Sequence, residues 1–430
     1  MFCRHLTLTN FRNYVQLDLS LAPHLSVFWG NNGQGKSNLI EALYLLATTR
    51  SYRTAAEREM VNWHAAVPPV FARVAADVQR HPTPQRLEVI LAETPGSAAG
   101  EGRPPPGVGQ PPASSVRRRV RINGQHRQPA ELLGHLNVVL FSPEDVELIA
   151  GPAAVRRRYL DITLCQVDHV YLRTRNRYER VLQQRNALLR EARERAVRAD
   201  QFEYWDVQLV ELGSSLVAAR VRALHLLNES IAAISPRLAG DASGLRAEYR
   251  SSVALDDDAP ALAAERVAGA EPAEEGGTAL ARLRERFAAQ LAAGRARERQ
   301  QAVTLAGPHR DDAVFYAGAI DLRTFGSRGQ QRSAALSLKL AEAELMQRYT
   351  GERPLLLLDD VMSELDPRRR GFLQEMVLEQ REHQGQVLVT ATELAPFGAG
   401  FLDRADVYQV EAGAVTKGAT GSDPGARLTG

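Results

Sequence analysis

The sequence predicts an α/β fold whose main sheet is built from both ends of the chain and split by a helical insertion. Three observations carry this reading. A glycine-rich loop, Gly30-Asn31-Asn32-Gly33-Gln34-Gly35-Lys36-Ser37, follows the apolar run Leu25 to Trp29 and opens a helical pattern through Leu39, Ile40, Ala42, Leu43 and Leu46. A second apolar run, Leu355-Leu356-Leu357-Leu358, ends in Asp359-Asp360, 323 residues after Lys36. Helical periodicity fills much of the interval.

In chain order, strands are expected at Leu6 to Leu8, Tyr14 to Leu19, Leu25 to Trp29, Val70 to Val78, Leu87 to Leu91, Val116 to Ile122 and Asn137 to Phe141. Three more are expected at Ala313 to Tyr316, Leu355 to Asp359 and Gln386 to Thr390. Between the two groups, Leu160, Leu164, Val167, Tyr171, Tyr178, Val181 and Leu188 recur at spacings of a long amphipathic helix. Arg173, Arg175, Arg177, Arg180, Arg185 and Arg190 fall mostly off that stripe. A second helical run, about Val207 to Ile234, keeps Leu209, Leu212, Leu216, Ala219, Val221 and Leu224 in register, so the two predict a helical hairpin. Forty helical residues span roughly 60 Å. Three segments read as linkers expected to be mobile and to carry no chemistry: Ala92 to Ser115, Asp256 to Gly277 and the tail from Gly413.

Composition narrows the function. The chain has 430 residues, 44% hydrophobic and 24% charged, which excludes a fibrous or disordered polymer. Two cysteines, Cys3 and Cys165, make no disulfide framework, and no apolar stretch reaches membrane-spanning length, so a cytoplasmic protein without a membrane is expected. The net charge of +2 conceals a local +6 over residues 151–200 and −6 over residues 251–280. Only Lys36, Lys339 and Lys417 are lysines among 53 basic residues. A lysine in the glycine loop therefore stands out against an arginine background.

The loop has the chemistry of a phosphate cradle. Its glycines let backbone N–H groups close around phosphate oxygens at a helix N-terminus. Lys36 is placed to reach the β- and γ-phosphates of a nucleotide, and Ser37 to ligate Mg²⁺. Asp359, at the carboxyl edge of a buried strand, is the expected second metal carboxylate, and Asp360 is the candidate to orient or deprotonate attacking water. The loop Phe325-Gly326-Ser327-Arg328-Gly329-Gln330-Gln331-Arg332 precedes a helical run and has the composition of an anion site. Its bland alternative is an ordinary turn and cap. His309 with Asp311 and Asp312 reads as a structural turn.

These motifs, in this order, resemble the ABC-type ATPases of the SMC branch, and their details resemble the RecF family of bacterial recombination mediators. The resemblance rests on Asn10-Phe11-Arg12-Asn13-Tyr14, Gly33 to Asn38, Phe141-Ser142-Pro143-Glu144-Asp145, Gln184-Arg185-Asn186, Gly307 to Asp312, Ser327 to Gln331 and Asp359 to Asp366. It implies an ABC-type P-loop ATPase head split between N- and C-terminal parts, with an inserted long-helix lobe. On that reading residues 1–145 and 301–412 form the head, 146–300 the helical lobe, and 413–430 a flexible tail. The resemblance further implies ATP and Mg²⁺ as cofactors, with Arg12, Gly30 to Asn38, Ser327, Gly329, Gln330 and Asp366 at the nucleotide. Ser327 would act in trans in an ATP-dependent homodimer, and Glu144 would lie in the loop joining sheet to lobe.

It implies binding to gapped, junction and single-stranded DNA, with RecR and RecO as partners and RecA loading as the outcome. DNA contact would come from three arginine patches: Arg117, Arg118, Arg119 and Arg121; Arg156, Arg157 and Arg158; and the helix carrying Arg173, Arg177 and on to Arg190, with a solvated face as the bland alternative for each. Asp360 stands where ABC ATPases usually carry glutamate, and Thr390-Ala391-Thr392 offers no histidine as a γ-phosphate sensor, which implies slow hydrolysis. The rival reading is the ATPase subunit of an ABC transporter. The wide separation of the two acidic and glycine motifs and the arginine-rich helix disfavour it.

Overall fold

The computed structural model describes residues 1–64, 70–80, 83–94, 115–194, 197–239, 244–264 and 274–418. Most of the expected linker at 92–115, the middle of the one at 256–277 and the end of the tail lie outside these residues. Two compact units divide the chain: Met1–Pro143 with Glu352–Gly430, and Glu144–Gly351.

Numbered along the chain, the strands are β1 Phe2–Phe11, β2 Tyr14–Ser20, β3 Leu25–Trp29, β4 Phe71–Gln79, β5 Pro84–Thr94, β6 Ser115–Ile122, β7 Gln125–Arg127 and β8 Val138–Phe141. They continue with β9 Leu245–Arg250, β10 Asp312–Ala317, β11 Ile320–Asp321, β12 Leu355–Asp359, β13 Val387–Ala391, β14 Ala405–Glu411 and β15 Ala414–Lys417.

The first unit holds two six-stranded sheets. One is antiparallel, in the order β2-β1-β4-β5-β6-β7; the other runs β15-β14-β3-β13-β12-β8 and is parallel except for the edge hairpin β14–β15. The helix Lys36–Thr48 packs into the core they share. Leu39, Ile40, Ala42, Leu43, Leu45, Leu46 and Ala47 are all fully buried, as a helix apolar on every side requires. On the antiparallel sheet the inward row includes Leu6, Leu8, Val74, Leu87, Val89, Leu91 and Val120. The parallel strands β12 and β13 are buried throughout, which is why Leu355 to Leu358 reads as an unbroken apolar run. Their carboxyl ends, with that of β3, form the edge where such sheets bind ligands.

The second unit is helical around Ala199–Ala239, a 41-residue helix that packs with His169–Glu194, Glu274–Gln301 and Arg328–Thr350. Leu209, Leu212, Leu216, Val221, Leu224, Leu227 and Ile231 are its buried stripe. A three-stranded antiparallel sheet, β11-β10-β9, completes the unit.

Several expectations change here. The single helix expected through Leu160 and Leu188 is two, Ala153–Val167 and His169–Glu194. Asp168 leaves the helical conformation, and its carboxylate accepts from the N–H groups of Val170 and Tyr171 at 2.8 and 2.9 Å, capping the second helix. Arg185 is fully buried between Asp206 and Glu298, both at 2.6 Å, and not on the solvent face. The acidic segment is partly structural, since Asp258 is buried against Arg282 and Arg286. The helix Arg328–Thr350, assigned from sequence to the head, groups with the helical unit because its buried face packs on the long helix; Thr163 Oγ1 also donates to Glu342 at 2.7 Å. The first boundary falls at Glu144. No helix among the described residues is long and apolar enough to cross a membrane.

Candidate nucleotide-binding site

The glycine loop leaves the carboxyl end of β3, where backbone packing dictates its composition. Gly30 has φ +150°, and a Cβ there would lie 2.3 Å from the Val410 carbonyl oxygen on β14. Gly35 has φ +117° and caps the helix N-terminus; a Cβ would meet the Asn13 amide at 2.7 Å. Only glycine fits either place. Asn31, Asn32 and Gly33 are exposed at the loop's crest.

The turn between β1 and β2 braces the loop from one side. Asn13 Nδ2 donates to the Gln34 carbonyl at 2.8 Å, Asn38 Nδ2 donates to Asn13 Oδ1 at 2.8 Å, and Tyr14 OH donates to the Gly35 carbonyl at 3.1 Å. The β14–β15 turn braces it from the other. The N–H of Gly413 donates to the Gln34 carbonyl at 3.1 Å and that of Ala412 to Gln34 Oε1 at 2.6 Å.

Lys36 is buried and lies back across the loop, its Nζ donating to the Gly30 and Asn31 carbonyls at 2.6 and 2.8 Å. Burial lowers its pKa, while Asp360 and Asp359 pull it back up. Ser37 Oγ donates to Asp359 Oδ1 at 2.8 Å, joining the two sequence motifs. Two further hydroxyls converge on the same carboxylate: Thr390 Oγ1 at 2.8 Å and Tyr52 OH at 2.6 Å. Burial first, then the Asp359 charge, raises the Tyr52 phenol far above its ordinary range, so it is a donor only.

Asp360 adopts a left-handed backbone conformation, φ +53°, fixed by its N–H donating to Thr390 Oγ1 at 3.0 Å. Burial raises its carboxyl pKa, opposed by Ser363 and Lys36. Among the described residues its Oδ1 is buried and meets no hydrogen-bond donor. A carboxylate held short of partners beside a phosphate loop is available to accept a proton.

Arg12, expected at the phosphates, is bound to Glu41 through Nε at 2.8 Å and Nη2 at 2.6 Å, and donates to the Glu59 carbonyl at 2.8 Å. Glu41 is fully buried in the phosphate-loop helix and also accepts from Ser51. Arg53 stands 3.6 Å from it and donates to Asn38 Oδ1 at 2.6 Å.

The structure thus brings together Gly30 to Asn38, Asp359 and Asp360. Ser327, Gly329 and Gln330 belong to the helical unit, where Ser327 and Gln330 form a reciprocal capping box at 3.2 and 2.9 Å. Asp366 caps the helix Pro367–Glu382, accepting from the Arg369 N–H at 3.0 Å, which lowers its pKa. His309 Nδ1 is 2.7 Å from Tyr178 OH, and Asp311 takes Tyr249 OH at 2.6 Å, so this trio is structural. The sequence reading missed Tyr52 and Glu41, and it named Thr390 only for the absence of a histidine, not for its bond to Asp359. Of the two missed residues Glu41 left a signal, as one acid inside the apolar run Leu39 to Leu46.

Two arginines expected on DNA are corrected. Arg156 is 2% exposed, forked onto Asp312 at 2.7 and 2.9 Å and donating to the Gly151 carbonyl, which makes it a packing residue. Arg118 is on the core-facing side of β6, opposite Leu91, and pairs with Glu57 at 2.7 Å. Arg157 is half-buried and donates to the Asp311 carbonyl at 2.7 Å. Arg117, Arg119, Arg158, Arg173 and Arg177 are exposed.

Comparison with known proteins agrees with this geometry. The RecF/RecN/SMC N terminal domain family matches residues 2–410. DNA replication and repair protein RecF of Chloroflexus aurantiacus is 43% identical over 97% of this chain and 100% of its own length. That of Halalkalibacterium halodurans is 36% identical over 97% and 100%. A solved structure of the recombination mediator protein RecF with ATP, in the RecFOR pathway, superposes with a TM-score of 0.76 at 28% identity, covering 97% of this chain and 98% of the other. With a phosphate loop, an acidic strand end and a helical unit in one continuous match, this chain belongs to the RecF family of DNA replication and repair proteins, on the SMC-like ABC ATPase fold.

Proposed function

We propose that this chain is an ATP-switched DNA-binding protein of recombinational gap repair. The observation that carries the reading is the 2.8 Å contact between Ser37 Oγ and Asp359 Oδ1, two residues 322 apart in sequence. These are hard oxygen donors side by side at a sheet edge, and they fit Mg²⁺, directly or through water. Bound there, the ion would supply charge neutralisation at the β- and γ-phosphates. Lys36 would leave its two carbonyls for the phosphates, the loop N–H groups would hold the same oxygens, and Asp360 would accept the proton of attacking water. The absence of a histidine after β13 and the short carboxylate of Asp360 fit slow turnover, so the nucleotide would serve chiefly as a switch.

Ser327, Gly329, Gln330 and Asp366 would complete the site in trans in an ATP-dependent homodimer. Closure of that dimer would clamp gapped or junction DNA, with RecR- and RecO-type partners and RecA loading downstream. Family membership sets the transporter alternative aside. The test is DNA binding to gapped, single-stranded and duplex substrates with and without ATP, alongside light scattering of wild type and Ser327→Arg. ATP-independent dimers, or an ATP-induced dimer in Ser327→Arg, would overturn the trans site.

A further inference from the structure

The outer face of the antiparallel sheet sorts its charges in a way the linear arginine cluster conceals. Along β6, Arg117, Arg119 and Arg121 stand opposite Ala92, Ile90 and Glu88 of β5, while Val116, Arg118, Val120 and Ile122 alternate to the core side. Arg117 and Arg119 are exposed, and Arg121 is 39% exposed. The next strand, β7, is exposed at every residue and places His126 beside Arg121, Nη2 to Nε2 3.3 Å.

The acids nearest β6 on this face are already taken. Asp77 holds Arg86 at 2.8 Å, and Glu88 holds Arg73 and stands only 3.6 Å from Arg121. Positive charge is therefore in excess along β6. The residues flanking it, Ile90 and Ala92, are short enough for a rod-like polyanion to approach the strand. Alternate residues of a strand recur about every 6.7 Å. Neighbouring phosphates of one nucleic-acid strand are separated through space by a similar distance, longer than their roughly 3.4 Å axial rise because the strand winds.

We propose that Arg117, Arg119 and Arg121 form a ladder that tracks the DNA phosphate backbone, with Arg118 excluded from it. The assignment deepens the DNA-binding reading and rests on it. Such a track neutralises phosphates without reading bases, so it fits a protein that binds DNA structure and not sequence.

The experiment measures affinity for a fluorescent gapped duplex as a function of salt, with ATP present, for full-length wild type, Arg119→Gln, Arg117→Gln/Arg119→Gln/Arg121→Gln and Arg118→Gln. Melting temperature and ATP affinity are checked for each. The ladder predicts that the triple variant lowers the log–log salt slope by about 2 to 3 and weakens binding at least roughly tenfold near 0.1 M salt. Arg119→Gln should lower the slope by about 1, and Arg118→Gln, equal in charge change but facing inward, should leave it unaltered. Equal slopes for Arg118→Gln and Arg119→Gln, or a triple variant that binds like wild type, would refute the ladder and leave the DNA-binding reading standing. Wild-type protein that binds no DNA would remove both. Duplex and single-stranded arms of the same titration show which backbone the track prefers.

Discussion

Replacing Thr390 by valine tests whether a hydroxyl, and not a charge, organises the acidic end of the site. Thr390 is fully buried on β13, and its Oγ1 serves two neighbours: it donates to Asp359 Oδ1 at 2.8 Å and accepts from the Asp360 N–H at 3.0 Å. Valine keeps the β-branched shape, so the cavity contribution is small. What is lost is a hydrogen bond to a charged acceptor, about 1.5–3 kcal/mol, and a partner for a half-buried N–H, about 1–3 kcal/mol if left unmet. Ser37 and Tyr52 still donate to Asp359, so part of the first term is retained, and a net loss of about 3 kcal/mol is expected for the head. Urea denaturation would read it as a lower midpoint at unchanged slope. Asp360 would also be freed from its left-handed conformation, and ATP turnover should fall more than ATP affinity. A loss below about 0.5 kcal/mol, with turnover intact, would refute the reasoning, because valine would then be doing everything threonine does.

Lys36→Arg should cut turnover roughly 100-fold, since a planar fork cannot occupy the place where Nζ meets two carbonyls at 2.6 and 2.8 Å; steady-state ATPase assays check it, and wild-type rates would sink the loop assignment. Glu41→Gln should cost about 3 kcal/mol because it strands the Arg12 guanidinium, which is 16% exposed, and the double variant with Arg12→Gln should recover part of that loss in a denaturation cycle. Burial lowers the His309 pKa from 6.5 to about 4, so folding favours the neutral ring. Stability is therefore unaffected well above pH 6.5 and falls as pH drops towards 4; about 2 kcal/mol should be lost between pH 7.5 and 5, and His309→Gln should flatten that part of the curve.

The legible parts of the chain are those where one local pattern has one structural outcome. The glycine loop, the run Leu355 to Leu358 and ten of the strands followed from periodicity and turn chemistry. The strands β14 and β15 did not, because Ala405–Glu411 is a mixed sequence whose place beside β3 is set by tertiary pairing. The break at Asp168 was hidden for a different reason: the apolar spacing continues across it, and only the capping geometry marks the change. Arginines were the least legible. Arg118 and Arg119 are neighbours with the same side chain, and strand alternation alone sends one to Glu57 and the other to solvent. Arg156 and Arg185 read as free cations because each is paired by an acid more than a hundred residues away, Asp312 and Glu298, and the second partner of Arg185, Asp206, stands on a different helix. The Asp359 carboxylate was likewise legible as a candidate metal ligand, but not the two hydroxyls that hold it: Tyr52 is 307 residues away and Thr390 lies on the neighbouring strand.

The pairing of β3 with β13 and β14 sets an order on synthesis. Val27 lies beside Val389 and Val407, so the strand that launches the phosphate loop leaves the ribosome long before either neighbour exists. At ordinary elongation rates the wait is roughly 20 to 70 s. The helical unit, Glu144–Gly351, is contiguous and can fold during that interval, while the antiparallel strands can pair among themselves. The loop receives its last brace from Ala412 and Gly413. A nascent chain that has not yet emerged past Gly413 therefore has no finished nucleotide site, and ATP can act only on molecules in which that turn has been made.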